Sequence, residues 1–267
     1  MMFDLSKLPE TISRKITGRE WNCDNIGMSD STILLFDEMV LKIQITSRSS
    51  KHEKKLLGWL DGKLPVPKII EAETRNGYSF LLMSKLPGEM SCSDKSLQNI
   101  ENTVTALANG LKMLWQIDIS NCPCSNVVSE KLIQAKYNIE NDLVDIDNFE
   151  PETNGYEDIG GISGLYDFLN QNRPTEDVVF SHGDFCLPNV FVSGCDTTGF
   201  LDWGNGGIAD RWQDIALCVR SLQHNHMEYS GYGENDYQKY KTLLFQELGL
   251  VPDEEKIRYY VMLDELF

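Results

Sequence analysis

The stretch from Phe180 to Trp203 constrains this chain more than any other part of it. It reads FSHGDFCLPNVFVSGCDTTGFLDW, so that Asp184 ends the triplet HGD, Asn189 follows five residues later, and Asp202 comes after the apolar segment GFL. Two runs of alternating apolar residues predict a hairpin between Asn189 and Asp202. Such a hairpin returns Asp202 to the loop that carries Asp184, so the spacing predicts one site with two carboxylates and an amide.

These side chains are the ones that phosphoryl transfer from a nucleotide requires. In the pattern H-R-D-L-x-x-x-N followed by D-F-G, one carboxylate orients the attacking hydroxyl, and an amide and a second carboxylate hold Mg²⁺. Asp184 is therefore predicted to be the catalytic residue, and Asn189 and Asp202 the metal ligands. The alternative is that Asp184 only bonds to backbone in an ordinary Gly-Asp turn. Because Asn189 and Asp202 are both present at the spacing that the pattern requires, catalysis is the favoured interpretation.

The same segments resemble a known family. The segment HGDFCLPN, the segment LDWGNGGIADRWQDIALCVRSL after it and the final YYVMLDELF are similar to the aminoglycoside 3′-phosphotransferases, and GKLPVPKII at 62–70 and IDISNCP at 117–123 agree. The resemblance covers nearly the whole chain. It implies an α+β, bilobal, protein-kinase-like fold with a small antiparallel-sheet N-terminal lobe and a larger, mainly helical C-terminal lobe. It also implies an enzyme that uses ATP and Mg²⁺ to phosphorylate a hydroxyl of an aminoglycoside, expected to be the 3′ hydroxyl, and so gives resistance. GTP stays open as an alternative donor.

A lysine and a glutamate predict how the nucleotide phosphates are held. Residues 24–45 read as a hairpin, with Lys42 in the middle of its second strand, MVLKIQI. Leucines at helical spacing predict a short helix over 51–60, with Glu53 near its start. A strand lysine paired with a helix glutamate and reaching the α- and β-phosphates is the kinase arrangement. The competing interpretation of Lys42 is a lysine on a solvated face.

Further segments complete the predicted nucleotide site. The turn Gly27-Met28-Ser29 would cover the triphosphate with backbone N–H groups, and the resemblance implies that backbone groups near Ser84 and Leu86 hold the adenine. A Pro-Gly pair then interrupts the strand pattern, so we place a nucleotide-binding lobe at 1–86 and a catalytic and substrate-binding lobe at 87–267. The chain has no G-x-x-x-x-G-K-[ST], which disfavours a P-loop enzyme. GNGGIA matches a dinucleotide-binding pattern, but no strand that ends in an acidic residue follows.

Apolar periodicity predicts the helices of the second lobe. The repeat from Leu97 to Leu114 predicts one helix of about six turns. Residues 129–146 predict another helix, with Leu143 on its inward side. The acidic and glycine-rich segment 147–164 cannot bury much apolar surface and is predicted to be a loop over the cleft.

The C-terminal segment bears on the substrate. Glu254–Phe267 alternates charged and apolar residues as a surface helix does, and a frayed, exposed end is one interpretation. The resemblance implies instead that Asp264, Glu265 and the carboxylate of Phe267 bind the ammonium groups of the sugar. The chain departs from the family at several positions. Acidic residues are expected at the positions of Gly161, Gly164, His224 and Asn225. An arginine is expected at Asn205, and an aromatic residue that stacks on adenine is expected at Val40. These departures concern the range of substrates and the adenine contact, and the catalytic set is intact.

Composition limits the partners. Forty-one acidic against 24 basic residues give a formal charge of −17, which argues against nucleic acid and anionic membranes and suits a cationic small molecule, although acidity can also serve solubility alone. No signal peptide or membrane-spanning run is visible, and seven cysteines without a C-x-x-C pair suggest reduced thiols, so a cytoplasmic protein is expected. Two other functions stay open: a kinase of another small alcohol, such as a macrolide, choline or a sugar, and a catalytically silent binding protein on the same fold.

Overall fold

A five-stranded antiparallel sheet forms the first part of the chain. The computed structural model describes residues 3–23, 31–145, 147, 160–230 and 234–267, with side chains omitted at 227–230 and 234–236. The strands of this sheet are β1 (Asn22–Cys23), β2 (Thr32–Leu35), β3 (Met39–Ile45), β4 (Ile69–Arg75) and β5 (Tyr78–Ser84). They lie in the order β1-β2-β3-β5-β4, and a short helix α1 (Glu10–Ile16) packs on β4.

Both hairpins predicted in this part are confirmed. Strands β2 and β3 pair in antiparallel fashion, with Ile33 opposite Lys42. Between β4 and β5, Asn76 and Gly77 have φ angles of 52° and 80°. Asparagine and glycine are the residues that tolerate this left-handed conformation, and two such residues in succession close a tight hairpin.

Helix α2 (Arg48–Leu60) connects the sheet to the rest of the molecule. Ser47 and Ser50 form a reciprocal capping box, each hydroxyl accepting the other residue's backbone N–H at 3.0 and 2.9 Å. The helix predicted over 51–60 is therefore confirmed and begins earlier, at this cap. Leu56 and Leu60 are fully buried in a core that continues into the second part of the chain, so α2 is held rigidly beneath the sheet.

The second part is mainly helical. Its helices in the described ranges are α3 (Asp94–Leu97), α4 (Ile100–Trp115), α5 (Val128–Glu140), α6 (Gly161–Gln171), α7 (Arg211–Ser230), α8 (Glu234–Leu248) and α9 (Glu254–Asp264). Short strands form two small sheets: β6 (Glu89–Met90), β8 (Val190–Ser193) and β9 (Asp196–Phe200) make one, and β7 (Val178–Ser181) with β10 (Gly207–Asp210) makes the other. The β8–β9 hairpin is the one predicted to return Asp202 to the loop of Asp184.

Two helix predictions are wrong in extent. The predicted helix of about six turns is interrupted between α3 and α4, where Asn99 leaves helical geometry and its side chain bonds to the Lys95 carbonyl at 3.0 Å. Helix α5 ends at Glu140, because Asn141 bonds back to Tyr137 and Asp142 takes a left-handed φ of 54°. Leu143, predicted to point inward, is consequently 57% exposed.

The predicted loop over 147–164 ends earlier than expected. Helix α6 begins at Gly161, so Gly161 and Gly164 are helical residues. Residues 146 and 148–159 lie outside the described residues, and so does the turn Gly27-Met28-Ser29.

Helix α9 is buried, and the prediction of a surface helix is wrong. Six of its residues are buried, and Leu266 just beyond it is fully buried. Asp210, itself 1% exposed, accepts hydrogen bonds from the Tyr260 hydroxyl at 2.8 Å and the Lys256 ammonium at 3.2 Å. Alternating charges suggested a solvated helix, but the charged residues lie on one narrow side and at the helix ends.

The division into lobes at 1–86 and 87–267 stays a prediction. It agrees with the end of the five-stranded sheet at Ser84 and with the pairing of β6 to β8 in a different sheet. Among the described residues, no helix is long and apolar enough to cross a membrane.

Candidate active site

Lys42 and Glu53 form a buried ion pair beneath the sheet. The Lys42 ammonium donates to Glu53 Oε1 at 3.0 Å, and Gln44 Nε2 donates to Glu53 Oε2 at 3.1 Å. Burial lowers the pKa of Lys42, but Glu53 and Asp202 together raise it above its ordinary value, so the lysine stays cationic. Burial raises the pKa of Glu53, and the lysine opposes that shift. The predicted pairing is confirmed in geometry, and the ammonium is held at the wall of a cleft.

Asp184 and Asn189 are in direct contact on the loop between β7 and β8. Asn189 Nδ2 donates to the Asp184 carbonyl at 3.0 Å and to the carboxylate Oδ2 at 2.9 Å. The loop folds this way because a short 3₁₀ turn, Leu187–Asn189, begins after the extended residue Cys186. Burial raises the pKa of the half-buried Asp184, while a contact with the Cys186 side chain lowers it.

A buried carboxylate that the sequence analysis did not single out holds this loop. Asp214, on the first turn of α7, accepts the backbone N–H groups of His182 at 2.8 Å and Gly183 at 2.9 Å. Beside it, Gln213 Nε2 donates to the Gly183 carbonyl at 3.1 Å. The available signal was an aspartate within the helical run DIALCV, since a carboxylate among apolar residues must find donors.

Gly183 sits where no side chain fits. Its φ is 81°, and a Cβ there would lie 1.8 Å from the carbonyl oxygen of Asn205. We expect Gly183→Ala to lower the free energy of unfolding by about 2–4 kcal/mol, from left-handed strain and forced displacement of backbone together. Urea unfolding measures the loss.

Gly194→Ala is the matched control for that change. Gly194 also has a left-handed φ, of 61°, but nothing lies within 4 Å of the place that an added methyl group would occupy. Only the strain should then appear, about 1 kcal/mol. Equal losses in the two variants would mean that the contact of Gly183 with Asn205 does not constrain the loop.

Asp202 faces the same cleft from the end of the β8–β9 hairpin. Its backbone is left-handed, with φ 56° and ψ 74°, which is uncommon for a residue other than glycine. Its Oδ1 lies 3.3 Å from the Lys42 ammonium, and 44% of its side chain is exposed. The buried Trp203 follows and anchors the turn in the core. Asp202 is thus in contact with the lysine of the Lys42–Glu53 pair, a contact that was not predicted from the sequence.

The donor set of the cleft fits Mg²⁺. Because Asn189 uses its amide hydrogens on Asp184, its Oδ1 is left as an acceptor, and within the described chain Oδ2 of Asp202 accepts no hydrogen bond. The described residues contain no group of three or more His, Cys, Asp or Glu side chains placed to hold a metal. An ion held by two protein oxygens and completed by phosphate and water is typical of Mg²⁺ at nucleotide sites.

A cavity of about 400 Å³ opens between the sheet and this loop. It is lined by apolar residues of β2, β3 and β5, by Lys42 and Asp202, and by Ser84 and Leu86 where the chain leaves the sheet. Val40, at the position where an aromatic was expected, is part of its wall. The volume lies in the range of small-molecule sites. Met28 and Ser29, predicted to cover the phosphates, are outside the described residues.

The acidic residues at the end of α9 have an internal partner. Arg220 of α7 donates to Asp264 Oδ2 at 2.6 Å and to Glu265 Oε1 at 3.5 Å. Burial lowers the pKa of Arg220, but Asp264 and Glu265 raise it far above its ordinary value. Arg220 was not predicted as part of the site, because nothing local to CVRSL indicates a contact more than 40 residues away.

A second cavity, which we call the α5 cavity, lies beside Phe267. Its volume is about 320 Å³, and its wall includes Arg48, Lys131, Gln134, Asn138, Asn205 and Phe267. The predicted substrate residues are therefore divided between two settings: Asp264 and Glu265 face Arg220, and Phe267 faces this cavity.

Together, the lysine–glutamate pair, the Asp184–Asn189 contact and Asp202 at one nucleotide-sized cleft define a phosphotransferase of the kinase-like class.

Comparison with known proteins agrees with this class. The phosphotransferase enzyme family model (APH) matches residues 25–242. An aminoglycoside 3′-phosphotransferase of Enterococcus faecalis is 41% identical over 226 residues, covering 83% of this chain and 80% of that protein. One from Niallia circulans is 36% identical over 268 residues, covering 97% of each. The chain belongs to the phosphotransferase enzyme family and, within it, to the aminoglycoside 3′-phosphotransferases.

Solved structures support the same architecture. A crystal structure of an aminoglycoside-3′-phosphotransferase of type VIII matches with a TM-score of 0.80 at 25% identity, covering 96% of this chain and 97% of that one. An aminoglycoside phosphotransferase of Streptomyces rimosus matches with a TM-score of 0.82 at 20% identity, covering 99% of each. The fold class and the family resemblance drawn from the sequence are confirmed.

Proposed function

We propose that this protein transfers the γ-phosphoryl group of ATP to the 3′ hydroxyl of an aminoglycoside, and that the modification gives resistance. The observation that carries the proposal is that Lys42, Asn189 and Asp202 line one cavity, with the Asp184 carboxylate in contact with Asn189. The names of the relatives support the reaction and the acceptor. A structure of the Streptomyces rimosus enzyme, similar in fold, holds ADP and streptomycin.

The nucleotide is bound by the walls of the 400 Å³ cavity. Lys42, fixed by Glu53, binds the α- and β-phosphates, and backbone groups at Ser84 and Leu86 bind the base. That Met28 and Ser29 cover the phosphates stays a prediction from the sequence. Because the Lys42 ammonium is already positioned and desolvated, it reorganises little when phosphate charge develops.

Asp184 acts on the acceptor hydroxyl. Its carboxylate accepts the hydroxyl proton as the oxygen attacks the γ-phosphorus, and Asn189 Nδ2 keeps that carboxylate in position. Asn189 Oδ1 and Asp202 would hold Mg²⁺, which when bound supplies charge neutralisation between the phosphates.

The acceptor sugar lies at the end of α9. We propose that Asp264 and Glu265, with Phe267, bind its ammonium groups while sharing their charge with Arg220. Because Arg220 neutralises part of their charge, Asp264 and Glu265 attract an ammonium group less strongly than two unpaired carboxylates would. The absence of acidic residues at Gly161, Gly164, His224 and Asn225 weakens that attraction further.

The test is the release of ADP by purified protein with Mg²⁺ and ATP, and separately with GTP, across a panel of acceptors. The panel contains kanamycin, neomycin and streptomycin together with choline, a macrolide and a hexose. We expect turnover with aminoglycosides that carry a 3′ hydroxyl. Turnover confined to choline, the macrolide or the hexose would assign another alcohol, and no turnover at all would leave a binding protein on this fold.

Asp264 provides a prediction about acceptor affinity. We expect Asp264→Asn to raise KM for kanamycin about tenfold while KM for ATP stays unchanged. A hydrogen bond to a charged group contributes about 1.5–3 kcal/mol. The lower figure applies here because Arg220 already neutralises part of the Asp264 charge. Glu255→Gln, an exposed position on the same helix, is the matched control. If both variants keep the parental KM for kanamycin, Asp264 has only a structural role with Arg220.

A further inference from the structure

Lys131 is a buried cation with an unusual environment. Only 6% of its surface is exposed, and its ammonium makes no hydrogen bond or ion pair with any described residue. The contact it does make is with the Phe267 ring, whose centroid lies 4.7 Å from Nζ. Most of the side chain is buried, but Nζ is not among the enclosed polar atoms of the described residues that lack a partner, so an acceptor for it would lie in the adjoining cavity.

The ammonium borders the α5 cavity, which has room for a ligand group. Around Lys131 the wall presents amides, from Gln134, Asn138 and Asn205, and the guanidinium of Arg48. Arg48 Nη1 is held by Gln134 Oε1 at 2.6 Å, and the Asn138 amide donates to the Leu266 carbonyl at 2.8 Å. Glu130 supplies a carboxylate side chain to the described wall, but it is exposed at the rim. The interior therefore combines the cations of Lys131 and Arg48 with side-chain amides that can both donate and accept, and the C-terminal residue Phe267 is part of the same wall.

The cavity adjoins the place where the acceptor hydroxyl must lie. The Asn205 carbonyl packs against Gly183, the neighbour of Asp184, and accepts from Asn126 Nδ2 at 2.7 Å. Burial lowers the pKa of Lys131, and the carboxylates of Asp264, Asp184 and Asp214 act against that shift. A substrate held between Asp184 and Asp264 would thus extend a neighbouring substituent toward Lys131.

We propose that Lys131 is a specificity-determining residue of the acceptor site: its ammonium donates a hydrogen bond to an uncharged oxygen of the aminoglycoside and disfavours an amino substituent at that position. The inference rests on the proposed function and deepens it. The substrate class is an aminoglycoside that carries a hydroxyl where related compounds carry an ammonium group. An ammonium in this cavity would meet a like charge without the screening that bulk water provides.

Two pairs of compounds that differ in one hydroxyl or amine test the proposal. Paromomycin and neomycin differ at the 6′ position, and kanamycin A and kanamycin B differ at the 2′ position. We expect the parent to favour the hydroxyl compound in at least one pair by about tenfold in kcat/KM, through KM. In Lys131→Gln that ratio should fall to about one, because the amide has no charge to repel an amine.

The matched control is Lys136→Gln, on the same helix but exposed and 3.9 Å from Glu140. It should leave both ratios unchanged. Lys131→Met is a second variant of similar length that removes the buried charge with little change in shape, so a folded protein is available even if the glutamine variant is unstable.

The outcomes separate the two claims. Hydroxyl-to-amine ratios that stay the same in Lys131→Gln and Lys131→Met, in a protein that still phosphorylates these compounds, would overturn the role of Lys131 and leave the proposed function standing. Failure of the parent to release ADP with all four compounds would overturn the proposed function and the role of Lys131 with it. A ratio that collapses in both Lys131 variants and not in Lys136→Gln supports the assignment.

Discussion

Replacing Asp184 with asparagine should lower kcat by about 100-fold or more, the scale expected for a positioned acid–base group. Asparagine keeps the size of the side chain and an oxygen that can accept the Asn189 Nδ2 hydrogen, now 2.9 Å from Oδ2, so the loop should stay in place. What is lost is the capacity to accept the proton of the acceptor hydroxyl. Steady-state ADP release gives kcat, and equilibrium titration with nucleotide should show an affinity close to the parent's.

Asp196→Asn is the control for this experiment. Asp196 is exposed at the start of β9, and neutralising it changes the net charge by the same amount. It should retain the parental kcat. If Asp184→Asn also retains it, Asp184 is not the base, and the assignment of roles to Asn189 and Asp202 loses its basis.

Removing the carboxylate of Asp202 should have the largest effect on metal use. In Asp202→Ala the proposed metal site keeps only Asn189 Oδ1, and the Lys42 ammonium loses the oxygen 3.3 Å away. We expect the Mg²⁺ concentration for half-maximal rate to rise, because a hard cation needs carboxylate oxygen. We also expect kcat to fall about 10³-fold, because stabilisation of the transition state by the metal ion contributes several kcal/mol. Titrating Mg²⁺ against ADP release measures both.

Asp202→Asn separates loss of the metal from loss of the backbone shape. The left-handed φ of 56° disfavours alanine but is tolerated by asparagine, which also keeps one ligand oxygen. It should fold like the parent and need more Mg²⁺, with a smaller loss of kcat than the alanine variant. An Mg²⁺ dependence identical to the parent's in both variants would contradict the metal role of Asp202.

The sequence predicted the cleft because its parts are local. Asp184 and Asn189 lie on one short loop, and a single hairpin returns Asp202, so alternating apolar residues and spacing were sufficient. The pairing of Lys42 with Glu53 followed in the same way, since the strand and helix that carry them are consecutive. Ser84 and Leu86 line the cavity as expected, although that expectation came from the resemblance.

What the sequence did not predict depends on distant partners. Helix α4 begins at Ile100 because Asn99 bonds backward, a choice that hydrophobic periodicity does not record. The burial of α9 comes from its packing against α7 in the main core, and Asp210 adds bonds to Lys256 and Tyr260 across the fold. Arg220, which pairs with Asp264 and Glu265, and Lys131, which lies on Phe267, likewise acquire their roles only when separate helices pack together.

These distant contacts alter the picture of the acceptor site. The sequence alone suggested a cluster of up to three negative charges at the end of α9. In the fold two cations lie among them, Arg220 against the carboxylates and Lys131 against the Phe267 ring. The site is therefore less acidic than the terminal residues imply, which is consistent with the glycines found at 161 and 164.

The most direct measurement compares kanamycin B with tobramycin, its 3′-deoxy analogue, as acceptors for the purified protein with Mg²⁺ and ATP. The two compounds carry the same ammonium groups, so both can occupy the site at the end of α9. We predict ADP release with kanamycin B, with phosphorus NMR of the product locating the phosphate on the 3′ oxygen, and no release above background with tobramycin. Equal turnover of tobramycin, or a phosphate on any other oxygen of kanamycin B, would contradict the proposal.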